Sequence, residues 1–133
     1  MRHILDAGPL IAALNRNDQH HAWACETLSR LPLPLFTCPE VLAEAAAMTG
    51  QPATIVEMLE SGELQLDFDL QAQAAAMRAL LKKYRDRSMD LADACVVRMA
   101  ELSRASRVVT VDRADFAIYR RNGREVIPIV CPE

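Results

Sequence analysis

Short apolar runs alternate with longer amphipathic stretches along the whole chain. "RHILD" (2–6) reads as a strand that stops at Asp6, and "GPLIAALNR" begins a helix with Pro9 in its first turn, where a missing N–H is tolerated. "DQHHAWACETLSRL" (18–31) has helical spacing, with Asp18 as its cap and the Pro32/Pro34 pair as its stop. "PLFTC" (34–38) predicts a second strand, and "PEVLAEAAAMTG" (39–50) a helix with Pro39 in its first turn and Gly50 just past its end. "PATIVEMLESG" (52–62) predicts another short helix, "ELQLDF" (63–68) a third strand, and "DLQAQAAAMRALLKKYRD" (69–86) a long Ala-rich helix. "RSMDLADACVVRMAELSR" (87–104) suits a buried helix, "RVVTV" (107–111) a strand, and "DRADFAIYRR" (112–121) a short helix or turn. "EVIPIV" (125–130) reads as an edge strand, because Pro128 has no N–H for a central ladder.

Strands that alternate with helices imply an α/β fold: a three-layer α/β/α arrangement with a mostly parallel central sheet. In such a sheet all parallel strands end at one edge, and ligands bind there. Asp6 ends the first strand and Asp112 follows "RVVTV", so both belong to that edge. Glu44 lies about one and a half turns into the helix after the second strand, within roughly 8 Å of the same edge at a rise of about 1.5 Å per residue. Asp90 and Asp93 open the helix before "RVVTV"; that helix runs antiparallel to its strand, so its start lies at the strand's end. Four distant segments thus deliver Asp6, Glu44, Asp93 and Asp112 to one place, with Asp90 and Asp115 nearby.

Each acid also has an ordinary structural role open to it. Ser88 or Asp90 can cap the helix that follows, with Asp93 in its first turn, where the helix dipole favours an acid. Asp6 and Asp112 can cap the segments after them, Asp115 falls at capping-box spacing from Asp112, and Glu44 can share a face with Glu40. Jointly, though, the carboxylates are crowded, and Arg113 is the one cation within these motifs. Like charges that close raise one another's pKa unless a cation sits among them. Oxygen-only ligation suits Mg²⁺ or Mn²⁺, which can lower the pKa of a bound water or neutralise charge on a phosphoryl group. The expected chemistry is metal-assisted phosphodiester hydrolysis.

The totals fit that reading. The 133 residues, 51% hydrophobic and 25% charged with only 7 Pro and 4 Gly, predict a single domain, 1–133, with a real core. Cys25, Cys38, Cys95 and Cys131 show no CxxC pair and no companion His spacing, so neither a zinc site nor a disulfide framework is expected. With an acid inside its first apolar run, the N-terminus does not read as a signal peptide, and no stretch is long enough to span a bilayer, which together predict a cytoplasmic protein. Net charge is −3, but residues 1–69 carry −7 and residues 70–133 carry +4. The bases crowd into "KKYRDR" (82–87) and "YRRNGR" (119–124), either solvated helix ends or a surface for RNA phosphates. No Gly-rich phosphate loop and no Ser-His-Asp or Cys-His pairing competes, and His20 and His21 point about 100° apart on a helix.

Two other function classes are open from the residues. A phosphatase with Asp6 as nucleophile would want a second acid two residues on, where Gly8 stands. A catalytically inactive RNA-binding or protein-interaction module would keep the fold without the chemistry; metal binding that depends on the acids separates it from an enzyme.

"ILDAGPLIAALN", "TCPEVLAEAA", "MDLADACVVRMAE" and "VVTVDRADFAIYRR" together, in this order and spacing, resemble the PIN-domain family, in particular its small VapC-type toxins of toxin–antitoxin pairs. The resemblance covers essentially the whole chain. It implies a metal-dependent endoribonuclease whose acidic site maps onto Asp6, Glu44, Asp93 and Asp112, with Asp90 and Asp115 as auxiliary acids and Thr110 as the hydroxyl beside the last acid. One departure is Ala7, where many members carry Thr or Ser directly after the first Asp. The resemblance further implies a homodimer, an RNA substrate and an antitoxin whose tail covers the groove.

Overall fold

The computed structural model describes residues 1–133. Its main sheet has five parallel strands in the order β3-β2-β1-β4-β7: β1 (Arg2–Leu5), β2 (Leu35–Thr37), β3 (Leu64–Leu66), β4 (Ser106–Val109) and β7 (Ile129–Val130). β1 is central and pairs with β4 from Arg2↔Ser106 to Leu5↔Val109. Because it has neighbours on both sides and helices on both faces, its run is apolar without strict alternation, and Ile4 and Leu5 are both buried.

Alternation decides which core each residue joins. Ile4 and Val108 face one way, against Met77 and Leu80 of α5 (Ala74–Lys83) and Val96 and Val97 of α6 (Leu91–Leu102). Leu5, Leu35, Leu64 and Val109 face the other way, where α1 (Ala7–Leu14), α3 (Pro39–Thr49) and α4 (Pro52–Glu60) bury Leu10, Leu42, Ala45 and Ile55, and α2 (His21–Arg30) adds Trp23 and Leu28 at the margin. The three-layer α/β/α arrangement read from the sequence is therefore the one adopted. No helix is long and apolar enough to cross a membrane.

The strand order matters for the site. From β1 the chain moves outward through β2 to β3, then crosses back to place β4 on the other side of β1. Connections diverge between β1 and β4, leaving a crevice outside their carboxyl ends. Asp6 and Asp112 follow those two strands.

Several boundaries differ from the sequence reading. Asp18 does not cap α2: its carboxylate accepts from His20 N in a turn before the helix, which starts at His21. The Ala-rich helix is shorter than its pattern, because residues 70–73 form turns and α5 begins at Ala74. "EVIPIV" is not one strand. Glu125–Val126 (β6) pairs antiparallel with Arg120–Arg121 (β5), which follows the short α7 (Arg113–Ile118), and only Ile129–Val130 joins the edge of the main sheet. Pro128 stands between the two pieces, donating nothing and offering its carbonyl to Val108 N. The β5–β6 hairpin turns at Asn122 and Gly123, whose φ values of 50° and 87° are those a tight turn requires.

Candidate active site

Asp6 is the N-cap of α1, and its backbone N–H still belongs to the sheet, donating to Val109 O. Its side chain is 8% exposed and held at both oxygens: Oδ1 accepts from Ala7 N at 2.9 Å, and Oδ2 from the buried Thr110 hydroxyl at 2.7 Å. Thr110 Oγ1 in turn accepts from Asp112 N at 3.0 Å, tying the ends of β1 and β4 together. Ala7 offers no hydroxyl, but its amide and Thr110 orient Asp6 instead. Burial pushes the Asp6 carboxyl up to about 6; the Thr110 and Ala7 hydrogen bonds oppose this, and the charges of Glu44 and Asp112 add to it.

Asp90 caps α6 and Asp93 completes a reciprocal box: Asp93 N donates to Asp90 Oδ1 at 2.8 Å and Asp90 N to Asp93 Oδ2 at 3.4 Å. The capping role and a place in the crevice are thus compatible. Asp93 is half-buried, and its Oδ2 also accepts from the Tyr119 hydroxyl at 3.3 Å. Burial, then the charges of Asp90 and Asp6, raise its carboxyl to about 7. Tyr119 is fully buried between Tyr84 and Phe116, both edge-on to it, and burial and Asp93 together hold its phenol above the usual range.

Asp112 caps α7, accepting from Asp115 N at 3.0 Å; burial raises its carboxyl, opposed first by that backbone hydrogen bond and then by Arg87. Arg87 reaches Asp115 instead, at 3.2 Å. Glu44, on α3, is exposed at the opening, and its carboxyl is raised first by partial burial and then by Asp90.

These six acids (Asp6, Glu44, Asp90, Asp93, Asp112 and Asp115) line one cavity of about 350 Å³ with Gly8, Ser88 and Val111. No Lys or Arg is among its lining residues. Gly8 allows the close approach of α1 to the turn after β4: a Cβ there would stand 2.4 Å from Val111 Cγ2. The donors are all hard oxygens carrying net negative charge, the set that suits Mg²⁺ or Mn²⁺. Like-charge repulsion in this cavity is relieved either by protons, as the raised pKa values indicate, or by a cation.

The two basic runs also meet. Lys83 Nζ donates to Gly123 O, and Arg120 N donates to the Tyr84 hydroxyl. Lys82, Lys83, Arg85 and Arg87 are exposed, whereas Arg121 is buried with Glu125 and so is withdrawn from that surface.

Sequence reasoning did not find Tyr119, which follows α7 and reaches Asp93 of α6 across 26 positions of chain. The cysteine spacing gave no indication of a sulfur site, and in the fold Cys38, Glu40 and Cys95 converge: one ligand atom from each lies within 4.8 Å of the others. Their spacing of 55 residues between Glu40 and Cys95 carries no local signal. The Cys95 thiol is raised far above its ordinary range, chiefly by its hydrogen bond with Cys38 and by burial.

No family model matches the chain. It is 27% identical over 126 residues, covering 90% of this chain and 93% of the relative, to the protein named Ribonuclease VapC26 of Mycobacterium tuberculosis (strain ATCC 25618 / H37Rv). That likeness extends over most of the chain and is not confined to one motif.

Proposed function

We propose that this chain is an endoribonuclease dependent on Mg²⁺ or Mn²⁺, hydrolysing RNA phosphodiester bonds as the toxin of a type II toxin–antitoxin pair, and built as a single domain over 1–133. The observation that carries this reading is a cavity lined by six carboxylates from four separate segments, with no Lys or Arg among its lining residues and Arg87 paired to Asp115. The near full-length likeness to a protein named a ribonuclease supports it.

Asp6, Glu44, Asp93 and Asp112 hold the metal, with Asp90 and Asp115 as weaker candidates. When bound, the ion supplies a water of lowered pKa and positive charge against the phosphoryl oxygens. The protein's own groups supply position. Thr110 and the Ala7 amide fix both oxygens of Asp6, the capping box of α6 holds Asp93, and the bond from Asp115 N holds Asp112 at the start of α7, so little side-chain freedom is lost on ligation. The exposed Lys82, Lys83, Arg85 and Arg87 hold RNA phosphates beside the cavity. An antitoxin covers the same groove, and the chain works as a homodimer in the cytoplasm; these assignments rest on the family resemblance.

Purified protein is incubated with a mixed pool of structured RNAs in Mg²⁺ or Mn²⁺, in EDTA, and as Asp93→Asn prepared identically. Cutting that needs metal and falls by at least about 100-fold in Asp93→Asn is the expected result. Cutting that persists in EDTA or in the variant overturns the assignment, as does failure of the cavity to bind either metal.

A further inference from the structure

The convergence of Cys38, Glu40 and Cys95 lies outside the acidic cavity. Cys38 is the residue before α3 and Glu40 is in its first turn, while Cys95 is on α6, two residues past Asp93 and so about 200° around the helix from it. Both thiols are fully buried, and Glu40 is half-buried, so the cluster meets solvent through its carboxylate.

Buried thiols are common packing groups. A carboxylate turned onto two of them is not. Cys95 Sγ lies 3.4 Å from Glu40 Oε1, and no Lys, Arg or His forms an ion pair with Glu40. Cys38 occupies the N-cap position but makes no capping hydrogen bond with its side chain, so its sulfur is turned to Cys95 and not to the helix end. Around a tetrahedral zinc with the usual bond lengths, sulfur and oxygen ligands stand about 3.6 Å apart and two sulfurs about 3.8 Å apart. The Cys95–Glu40 spacing is already near that value, and all three ligand atoms lie within 4.8 Å of one another. The N-terminus of α3 adds favourable partial positive charge for Cys38 as thiolate and for Glu40.

We infer that Cys38, Glu40 and Cys95 form a three-ligand site for a thiophilic divalent ion of the zinc class, distinct from the hard-cation cavity, with the fourth position open beside Glu40. An ion there bridges α3, which carries Glu44, to α6, which carries Asp93, and fixes the spacing of those two helices. Thiolate ligands select a softer ion than the carboxylate cavity does. The inference stands whether or not the chain cleaves RNA.

The probe is Co²⁺, then Zn²⁺, added to reduced protein in which Cys25→Ser and Cys131→Ser remove the two more exposed thiols. The expected result is one equivalent of Co²⁺ giving thiolate-to-cobalt charge-transfer absorption, lost in Cys38→Ser and Cys95→Ser and retained in Asp6→Asn and Asp93→Asn. Glu40→Gln weakens binding by at least about tenfold. Because the serine variants place hydroxyls in a core, zinc-edge X-ray absorption of the otherwise native protein provides a second reading, with two sulfur scatterers at about 2.3 Å. Absence of the charge-transfer band, its survival in Cys95→Ser, its loss in Asp6→Asn, or a zinc shell of oxygen and nitrogen alone overturns the inference.

Discussion

Thr110 Oγ1 donates to Asp6 Oδ2 at 2.7 Å, joining two residues 104 positions apart through a pair of buried side chains. The same oxygen accepts from Asp112 N, so one hydroxyl aligns the acid at the end of β1 with the acid after β4.

Thr110→Val keeps the shape and removes that donor. Asp6, left with only the Ala7 amide, loses a bond that holds its pKa down, so its carboxyl titrates higher than in the native protein. Leaving a buried acceptor unpaired costs about 1–3 kcal/mol. Urea unfolding at pH 7 measures the second effect and carboxyl-resonance titration the first; an unchanged Asp6 titration contradicts the role given to Thr110.

The raised carboxyls make a signed prediction about pH. Asp6 and Asp93 bind protons more tightly folded, near 6 and 7, than in the unfolded chain, near 4. The folded state therefore holds more protons between those values, and this part of the stability is present at low pH and lost as pH rises through about 6 to 7. In EDTA the protein loses melting temperature from pH 5 to pH 8, and Asp93→Asn loses less. An equal loss in both proteins removes Asp93 from the account. At pH 8, Mg²⁺ restores part of what the native protein lost.

Gly8→Ala puts a methyl 2.4 Å from Val111 Cγ2, and relief requires the Val111 side chain to turn, or α1 or the turn after β4 to shift. A cost of about 1–3 kcal/mol is expected from such overpacking. Val111→Ala in the same chain recovers most of it, giving a large coupling energy in a double-mutant cycle read by denaturant unfolding. Additive effects would mean that the two residues do not meet.

Tyr119→Phe keeps the edge-on packing with Tyr84 and Phe116 and deletes the hydroxyl that reaches Asp93. Because that bond holds Asp93 down, its carboxyl rises further in the variant. Tyr119 acts as a positioning residue, so the pH at which metal binding is half-lost moves upward while the fold stays within about 1 kcal/mol of native. A drop in stability with an unmoved pH profile would make its role purely one of packing.

Lys82→Ala with Arg85→Ala tests the basic surface. If both hold RNA phosphates, the slope of log affinity against log salt falls by about 1.4, since each contact to a single strand contributes about 0.7. A uniform slope across native and variant protein places the RNA elsewhere.

What the amino-acid order disclosed was governed by geometry that repeats in every parallel sheet. The apolar run before Asp6 and the one before Asp112 could be read as parallel strands, and parallel strands share an edge, so the meeting of those acids followed from topology. Asp93 and Asp90 were legible for the same reason, since a helix antiparallel to its strand must begin at that edge. The Asn122–Gly123 pair carries the hairpin signal, since both residues accept the positive φ that such a turn requires. The start of α5 was hidden because Ala-rich sequence favours helix on both sides of the boundary. Contacts made between elements distant in sequence, such as Tyr119 with Asp93 or Cys95 with Glu40, leave no local trace, because they depend on the angle at which two elements pack.

The position of β1 between β2 and β4 also orders events in time. On the ribosome, β1 emerges first and has β2 as a neighbour within about 35 residues, but its other edge stays open until β4 is made, some 100 residues later. Pairing of such distant segments is slow, because the intervening chain must close first. The acidic cavity is completed only by Val111, Asp112 and Asp115, and Asp6 gains its Thr110 bond only then, at the far end of that wait. A nascent or truncated chain that stops short of β4 therefore carries Asp6, Glu44 and Asp93 without the partner strand that gathers them, and assembly of the site coincides with closure of the sheet.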